Sequence, residues 1–144
     1  PVVADVEMVR HGITGVAACC HLAAGDDEVD GELDDAGKPL TRAARGIRAA
    51  ARGHPPGAVL VVGCAPTALV EAVRLAEEGH FRPALVVGMP VGFVGAAEAK
   101  AALRASGLPA IGNTGEKGGS AVAAAAANAM ARLARGPEEE GPSS

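Results

Sequence analysis

The sequence predicts a three-layer α/β fold in a single domain, with a mostly parallel sheet of about five strands. Two observations carry that expectation. The chain twice runs a short apolar segment into glycine, then proline, then an alanine-rich stretch at helical spacing, as "VVGCAPTALVEA" (61–72) and "VVGMPVGFVGAAEA" (86–99). These apolar runs are continuous rather than alternating, as strands covered by helices on both faces require. Moreover, 144 residues at 49% hydrophobic are enough for one core that buries about two thirds of the unfolded surface. The expected domain is 1–135, followed by a disordered tail, 136–144, whose "GPEEEGPSS" has nothing to pack.

The elements follow in order. "VVAD" (2–5) reads as a strand ending at Asp5, a good N-cap, and "VEMVRHG" as a short helix. "GVAACCHL" (15–22) is a second apolar run. It leads into 23–38, a stretch with seven acidic residues that reads as an exposed, mobile loop. From Lys38 to Gly53 the spacing predicts a helix with Pro39 in its first turn, Leu40, Ala43, Ala44, Ile47 and Ala51 inward, and Arg42, Arg45, Arg48 and Arg52 outward. "AVLVVG" (58–63) is a buried strand. Pro66 then opens a helix that buries Leu69, Ala72, Val73 and Ala76, exposes Glu71, Arg74, Glu77 and Glu78, and ends at Gly79. "PALVVG" (83–88) and "GAAEAKAALRASG" (95–107) repeat the strand and helix. "LPAIG" (108–112) is a last strand, and Ser120 caps an alanine-rich helix through Leu133.

Composition excludes several classes of function. The net charge is −4, and the thirteen Lys and Arg are scattered, so neither nucleic acid nor an anionic membrane is the expected partner. No apolar run approaches the roughly 18 residues of a membrane span, and no signal peptide precedes the first strand, so a cytoplasmic protein is expected. Cys19, Cys20 and Cys64 lack CxxC spacing, which argues against disulfides and against a thiolate metal site. His21, His54 and His80 lie beside turns and read as incidental. Phe81 and Phe93 are the only aromatic residues, so a flat ligand would lie against aliphatic walls and backbone.

In parallel sheets ligands bind outside the carboxyl ends of the strands. "GCAPT", "GMPVGF" and "GEKGGS" all fall at that edge, each with backbone N–H groups and a helix N-terminus suited to carboxylates or phosphates. No GxGxxG follows a strand, and "GEKGGS" lacks P-loop spacing, so the dinucleotide and P-loop readings are weak.

"VEMVRHGIT" (6–14), "TRAA" (41–44), "GCAPTAL" (63–69), "GMPVGFVGAAEAK" (88–100) and "KGGSAVAAAAANAM" (117–130) together resemble the ordered motifs of precorrin-8X methylmutase, also called precorrin isomerase. The resemblance covers nearly the whole chain. It implies a flavodoxin-like fold and a homodimeric enzyme of cobalamin biosynthesis that moves a methyl group from C11 to C12 of a corrin precursor. The substrate would be precorrin-8X or cobalt-precorrin-8, with no metal or other cofactor supplied by the protein. In that family a histidine thought to supply the proton lies in a segment before the first shared strand, and this chain starts at Pro1 just ahead of that strand. The catalytic residue is therefore unassigned, and His11 is not promoted to the role.

The resemblance also implies a substrate-binding set. Thr41 and Arg42 match the family's Thr-Arg pair, with Arg42 as a two-pronged carboxylate clamp. Gly63, Pro66 and Thr67 match the first loop, where Cys64 stands in place of the usual Asn. Gly88, Met89, Pro90, Val91, Gly92, Phe93 and Val94 match the second loop fully, with Phe93 either flanking the macrocycle or filling the core. Gly118, Gly119 and Ser120 match the last loop, although "NTGE" replaces an Arg-containing approach. Thr14 is either a hydroxyl donor to substrate or a turn residue. Glu98 and Lys100 do not face each other and are expected to be structural. Two other readings stay open beside the enzyme: a non-catalytic binder of a corrinoid or another carboxylated ligand, and a redox protein using its cysteines.

Overall fold

The computed structural model describes residues 1–24 and 32–137. Five strands, β1 (Val2–Ala4), β2 (Ala18–Cys20), β3 (Val59–Val62), β4 (Leu85–Gly88) and β5 (Ala110–Gly112), form one parallel sheet in the order β2-β1-β3-β4-β5. Among the described residues, α1 (Glu7–Gly12), α2 (Arg42–Gly53), α3 (Pro66–Glu77) and α4 (Ala96–Ala105) connect successive strands, and α5 (Ser120–Arg135) follows β5. The order is that of flavodoxin-like sheets, which reverse direction between β1 and β3.

Side chains alternate along each strand, so each strand feeds two cores. Val3, Leu60, Val62 and Val86 pack with Ile47 of α2, Leu69 and Val73 of α3 and Leu103 of α4. Ala4, Val61 and Val87 pack on the other face with Val9 of α1 and with Ala123, Ala124 and Ala127 of α5. The buried residues that α5 brings to the second core are all alanine, which lets the helix lie close to the sheet. Gly63 shows how close: a β-carbon there would sit 2.7 Å from Val9 and 2.9 Å from the Ser120 backbone.

Several element ends differ from the sequence expectation, each for a local reason. Helix α2 starts at Arg42 rather than near Lys38, because the Thr41 hydroxyl caps it by accepting from the Ala44 N–H at 3.2 Å. Pro39 instead pairs with Leu33 in an antiparallel bridge. Between them Asp34 accepts from the N–H groups of Ala36 and Lys38, and Gly37 turns the chain at φ 75°. That part of the expected acidic loop is thus an ordered turn, while 25–31 lie outside the described residues, as do 138–144 of the tail. Ser120 is the first helical residue of α5 and Gly119 holds the cap position, so the expected serine cap is not made.

Glu71 was expected on the outer face of α3, yet it is 3% exposed. It receives Arg48 of α2 at 2.6 Å and Arg74 at 2.7 Å, and the two arginines reach on to Glu32 and Glu78. Burial pushes its carboxyl up, but the hydrogen bonds from Arg74 and Arg48 outweigh that and hold it below the ordinary glutamate range. The network clamps α2 to α3 from outside the apolar core.

Asp5 also departs from expectation. Helix α1 is capped at Val6 without a side-chain bond. The Asp5 carboxylate, 2% exposed, accepts instead from the N–H groups of Gly63 at 3.1 Å, Cys64 at 3.0 Å and Ala65 at 2.8 Å. It sits where the strand order reverses, the place at which such sheets commonly hold a ligand's anion. Here the anion belongs to the chain itself. Burial raises its pKa above the ordinary value, and the three amides hold part of that rise back.

Two outcomes follow. Glu71→Ala leaves Arg48 and Arg74 short of a buried partner and should lower the unfolding free energy by about 2–3 kcal/mol. Because the folded pKa of Glu71 is depressed, its contribution is present above the unfolded value of about 4.3 and is lost as pH falls through the folded one, which denaturant titrations across acid pH will register. Asp5→Asn turns an amide nitrogen toward a backbone N–H and should cost about 1–3 kcal/mol. The folded pKa of Asp5 is raised, so its contribution is complete below the unfolded value and declines as pH rises through the folded one. The Asp5→Asn deficit should therefore be larger at about pH 4 than at about pH 7.

Candidate functional site

All five strands are parallel, so the loops leaving β3, β4 and β5 emerge at the same edge of the sheet. Backbone hydrogen bonds then tie them into one rim. The Met89 N–H donates to the Val62 carbonyl at 2.9 Å, the Gly119 N–H to the Met89 carbonyl at 3.0 Å, and the Gly92 N–H to the Glu116 carbonyl at 3.0 Å. Gly118 makes the approach possible, since a β-carbon there would lie 2.3 Å from the Met89 oxygen. Lys100 of α4, 1% exposed, reaches under the last loop and donates to the carbonyls of Gly115 at 2.8 Å and Lys117 at 2.5 Å. Burial, with Arg104 adding to it, lowers its pKa. Asn113 donates to the same Lys117 carbonyl at 2.7 Å. The structural role expected of Lys100 is thus that of a buried strut for the β5–α5 loop.

This bonding changes how the rim can meet a ligand. The expected anion-binding amides of "GCAPT" end on Asp5, and those of Gly92 and Gly119 end on neighbouring loop carbonyls. Amides engaged within the fold are not aimed at solvent. Instead the rim presents side chains. Phe93 and Val94 are 88% and 90% exposed, Val91 is exposed beside them, and Met8 of α1 is exposed too. Phe93 is therefore a surface residue and not a core aromatic. The hydroxyls of Thr41 and Thr67 lie 2.7 Å apart and join the starts of α2 and α3, with Arg42 exposed next to Thr41. Cys64 is exposed on its loop, and its thiol pKa is raised by burial of the sulfur and then by the Asp5 charge, which disfavours a nucleophilic thiolate.

Of the expected binding residues, the structure gathers Gly63, Cys64, Pro66, Thr67, Thr41, Arg42, Gly88 through Val94, and Gly118 through Ser120 around this edge. Met89 and Pro90 are buried as its floor. Thr14 stands apart. Its N–H donates to Asn128 midway along α5 at 2.9 Å, and Asn128 also holds Gly15 and Gly12, which makes this segment a seam between α1 and α5. His11 is exposed on α1 beside Arg10.

A second constellation was missed from sequence. Cys19, His21 and His54 bring one sulfur and two ring nitrogens within 4.8 Å of one another, so these two histidines are not incidental. Cys19 and His21, two apart at the end of a strand, share a face and were the available signal. His54, from the far end of α2, carried none. The raised thiol pKa of the neighbouring Cys20 follows from burial.

Comparison with known proteins agrees with this architecture. The Precorrin-8X methylmutase (CbiC) family model matches residues 1–133. The chain is 41% identical over 137 residues to the cobalt-precorrin-8 methylmutase of Methanothermobacter thermautotrophicus, covering 95% of this chain and 64% of that protein. It is 41% identical over 140 residues to the precorrin-8X methylmutase of Sinorhizobium sp, covering 92% and 64%. The solved precorrin-8x methyl mutase from Thermus thermophilus superposes with a TM-score of 0.78 at 35% identity, over 93% of this chain and 66% of that one. The chain therefore spans somewhat less than two thirds of the length of these curated relatives. With the match running from β1 into the last turns of α5 and the same fold in a solved relative, the chain belongs to the precorrin-8X methylmutase family.

Proposed function

We propose that this chain forms the corrin-binding part of a precorrin-8X methylmutase of cobalamin biosynthesis, which shifts a methyl group from C11 to C12 of the precursor to give hydrogenobyrinic acid or its cobalt equivalent. The observation that carries the reading is the single rim, in which loops from three neighbouring strands are bonded together beneath exposed Val91, Phe93 and Val94. A corrin precursor is a large apolar ring fringed with acetate and propionate groups. Phe93 and Val94 would lie against the ring, while Arg42 and the paired Thr41 and Thr67 hydroxyls take its carboxylates. The backbone bonding of the loops supports a positioning role: a rigid platform holds the ring in the reactive geometry with little reorganisation.

The proton that must move as conjugation shifts is assigned, on the family resemblance, to a histidine in a segment preceding the part matched here. Turnover is accordingly a property proposed for the whole protein. An open rim with large exposed apolar side chains also suits covering by a second copy, and we take the working unit to be a homodimer in the cytoplasm. Among the described residues no helix is long and apolar enough to cross a membrane. The relatives bear the names of both cobalt-free and cobalt-containing routes, and the rim chemistry above serves either ring.

Titration with hydrogenobyrinic acid should shift its visible spectrum at one site per chain. Arg42→Ala should weaken binding by about 10–150-fold, the worth of a charge-assisted hydrogen bond of roughly 1.5–3 kcal/mol. Unchanged affinity would remove Arg42 from the site, and an unshifted spectrum with the wild-type chain would remove the reading. Sedimentation equilibrium should return twice the chain mass, and Phe93→Asp should weaken both dimer and ligand binding.

A further inference from the structure

We propose that Cys19, His21 and His54 form a binding site for one borderline-soft divalent transition-metal ion of the Zn(II) type, with a fourth coordination position open to water. The site lies on edge strand β2, on the opposite flank of the sheet from the loops of β4 and β5, and is independent of the corrin-binding reading. Cys19 and His21 occupy alternate positions at the end of β2 and so project to the same side. His54 is the residue at which α2 ends, its N–H bonded to the Ala50 carbonyl at 3.0 Å. Gly46 allows α2 to cross tightly over this segment, because a β-carbon there would meet the His21 carbonyl oxygen at 2.9 Å. That close crossing delivers the His54 ring to His21.

The donor geometry is near what a tetrahedral ion demands. Zn–S of about 2.3 Å and Zn–N of about 2.0–2.1 Å place sulfur and nitrogen ligands roughly 3.6 Å apart and two nitrogens roughly 3.3 Å apart. Cys19 Sγ lies 3.6 Å from His54 Nε2 and 3.8 Å from His21 Nε2. The two Nε2 atoms are 2.7 Å apart, the distance of a hydrogen bond between them, so an ion would part them by about half an ångström. The rings meet edge to face at 82° and do not stack, leaving both nitrogen lone pairs able to point at a common centre. A thiolate with two imidazoles is a donor set for Zn(II), Co(II) or Cu(II), and not for Mg(II) or Ca(II), which prefer oxygen. All three residues are half-buried, sheltered but within reach of solvent.

Binding balances simply. The Cys19 thiol, now directed at the Val2 carbonyl at 3.4 Å, gives up its proton. The imidazole that donates across the histidine pair keeps its proton by moving it from Nε2 to Nδ1. One proton leaves per ion bound. The ion would pin the short edge strand β2 to the end of α2, stabilising the native state by mass action.

The test uses the intact chain with Zn(II) in competition with a chromogenic chelator, and Co(II) as a spectroscopic probe. The expected results are one ion per chain, a thiolate-to-cobalt charge-transfer band with the visible bands of tetrahedral Co(II), and a thermal midpoint raised by roughly 5–10 °C at a hundredfold excess over Kd. Loss of an outer hydrogen-bonding partner already costs about 10–100-fold in metal affinity, so Cys19→Ser and His54→Ala should each exceed that. Cys20→Ser and Cys64→Ser should bind as the wild type does. Sub-stoichiometric binding by the wild type, wild-type affinity in His54→Ala, or loss of the cobalt band in Cys20→Ser would each overturn the assignment. Should Cys19→Ser fail to fold, His54→Ala, at a helix end, decides alone.

Discussion

The Asp5 carboxylate, closed on three consecutive amides at the start of the β3–α3 loop, is the constraint on which the carboxyl-end edge of the sheet depends. In sheets of this order the reversal point usually receives an anion from a ligand, because the loop amides and the helix N-terminus point there. Filling it from within the chain has two effects. It fastens the end of β1 to the loop leaving β3, and it removes from ligand recognition the amides that a glycine-rich loop would ordinarily offer. The other two loops follow the same logic. Gly92 and Gly119 spend their N–H groups on neighbouring carbonyls, and Lys100 satisfies two more carbonyls from below. What faces outward is a set of side chains on a stiff backbone.

That distribution suits a ligand that is broad and mostly apolar better than a compact phosphate. Phe93 and Val94 stand almost fully in solvent, which for two adjacent large apolar residues signals a surface meant to be covered. A macrocycle face, a second protomer, or both would cover it, and the proposed homodimeric corrin enzyme uses both. The chain spans somewhat less than two thirds of the length of the curated relatives it matches.

The layers and the parallel strands were legible in the sequence because their signals are local, whereas the flavodoxin-like order was an expectation of the family resemblance. Continuous valine runs mark strands covered on both faces, and glycine with proline punctuates the turns after β3 and β4. The long motif "GMPVGFVGAAEAK" carried the family. What was not legible depends on partners distant in the chain. Asp5 looked like a helix cap because its amides lie nearly sixty residues onward. Glu71 looked exposed because charge at that position of α3 reads as solvent-facing until Arg48 arrives from another helix. Pro39 suggested a helix start that Thr41, through its hydroxyl, takes over. Thr14 sat in a family-like motif, but in this chain it is drawn to Asn128. The histidine pair likewise exists only because Gly46 lets α2 cross β2 closely.

The central claim is that one face, the rim above β3, β4 and β5, receives the corrin through side chains carried on mutually bonded loops. Backbone amide NMR spectra recorded during addition of hydrogenobyrinic acid test it most directly. The account predicts that the signals of Gly88 to Val94, Gly118 to Ser120 and the Thr41–Thr67 contact move together with one saturation curve, while those of Thr14, Gly15 and the later turns of α5 stay still. Shifts centred on the Thr14–Asn128 seam, with the rim unmoved, would contradict it.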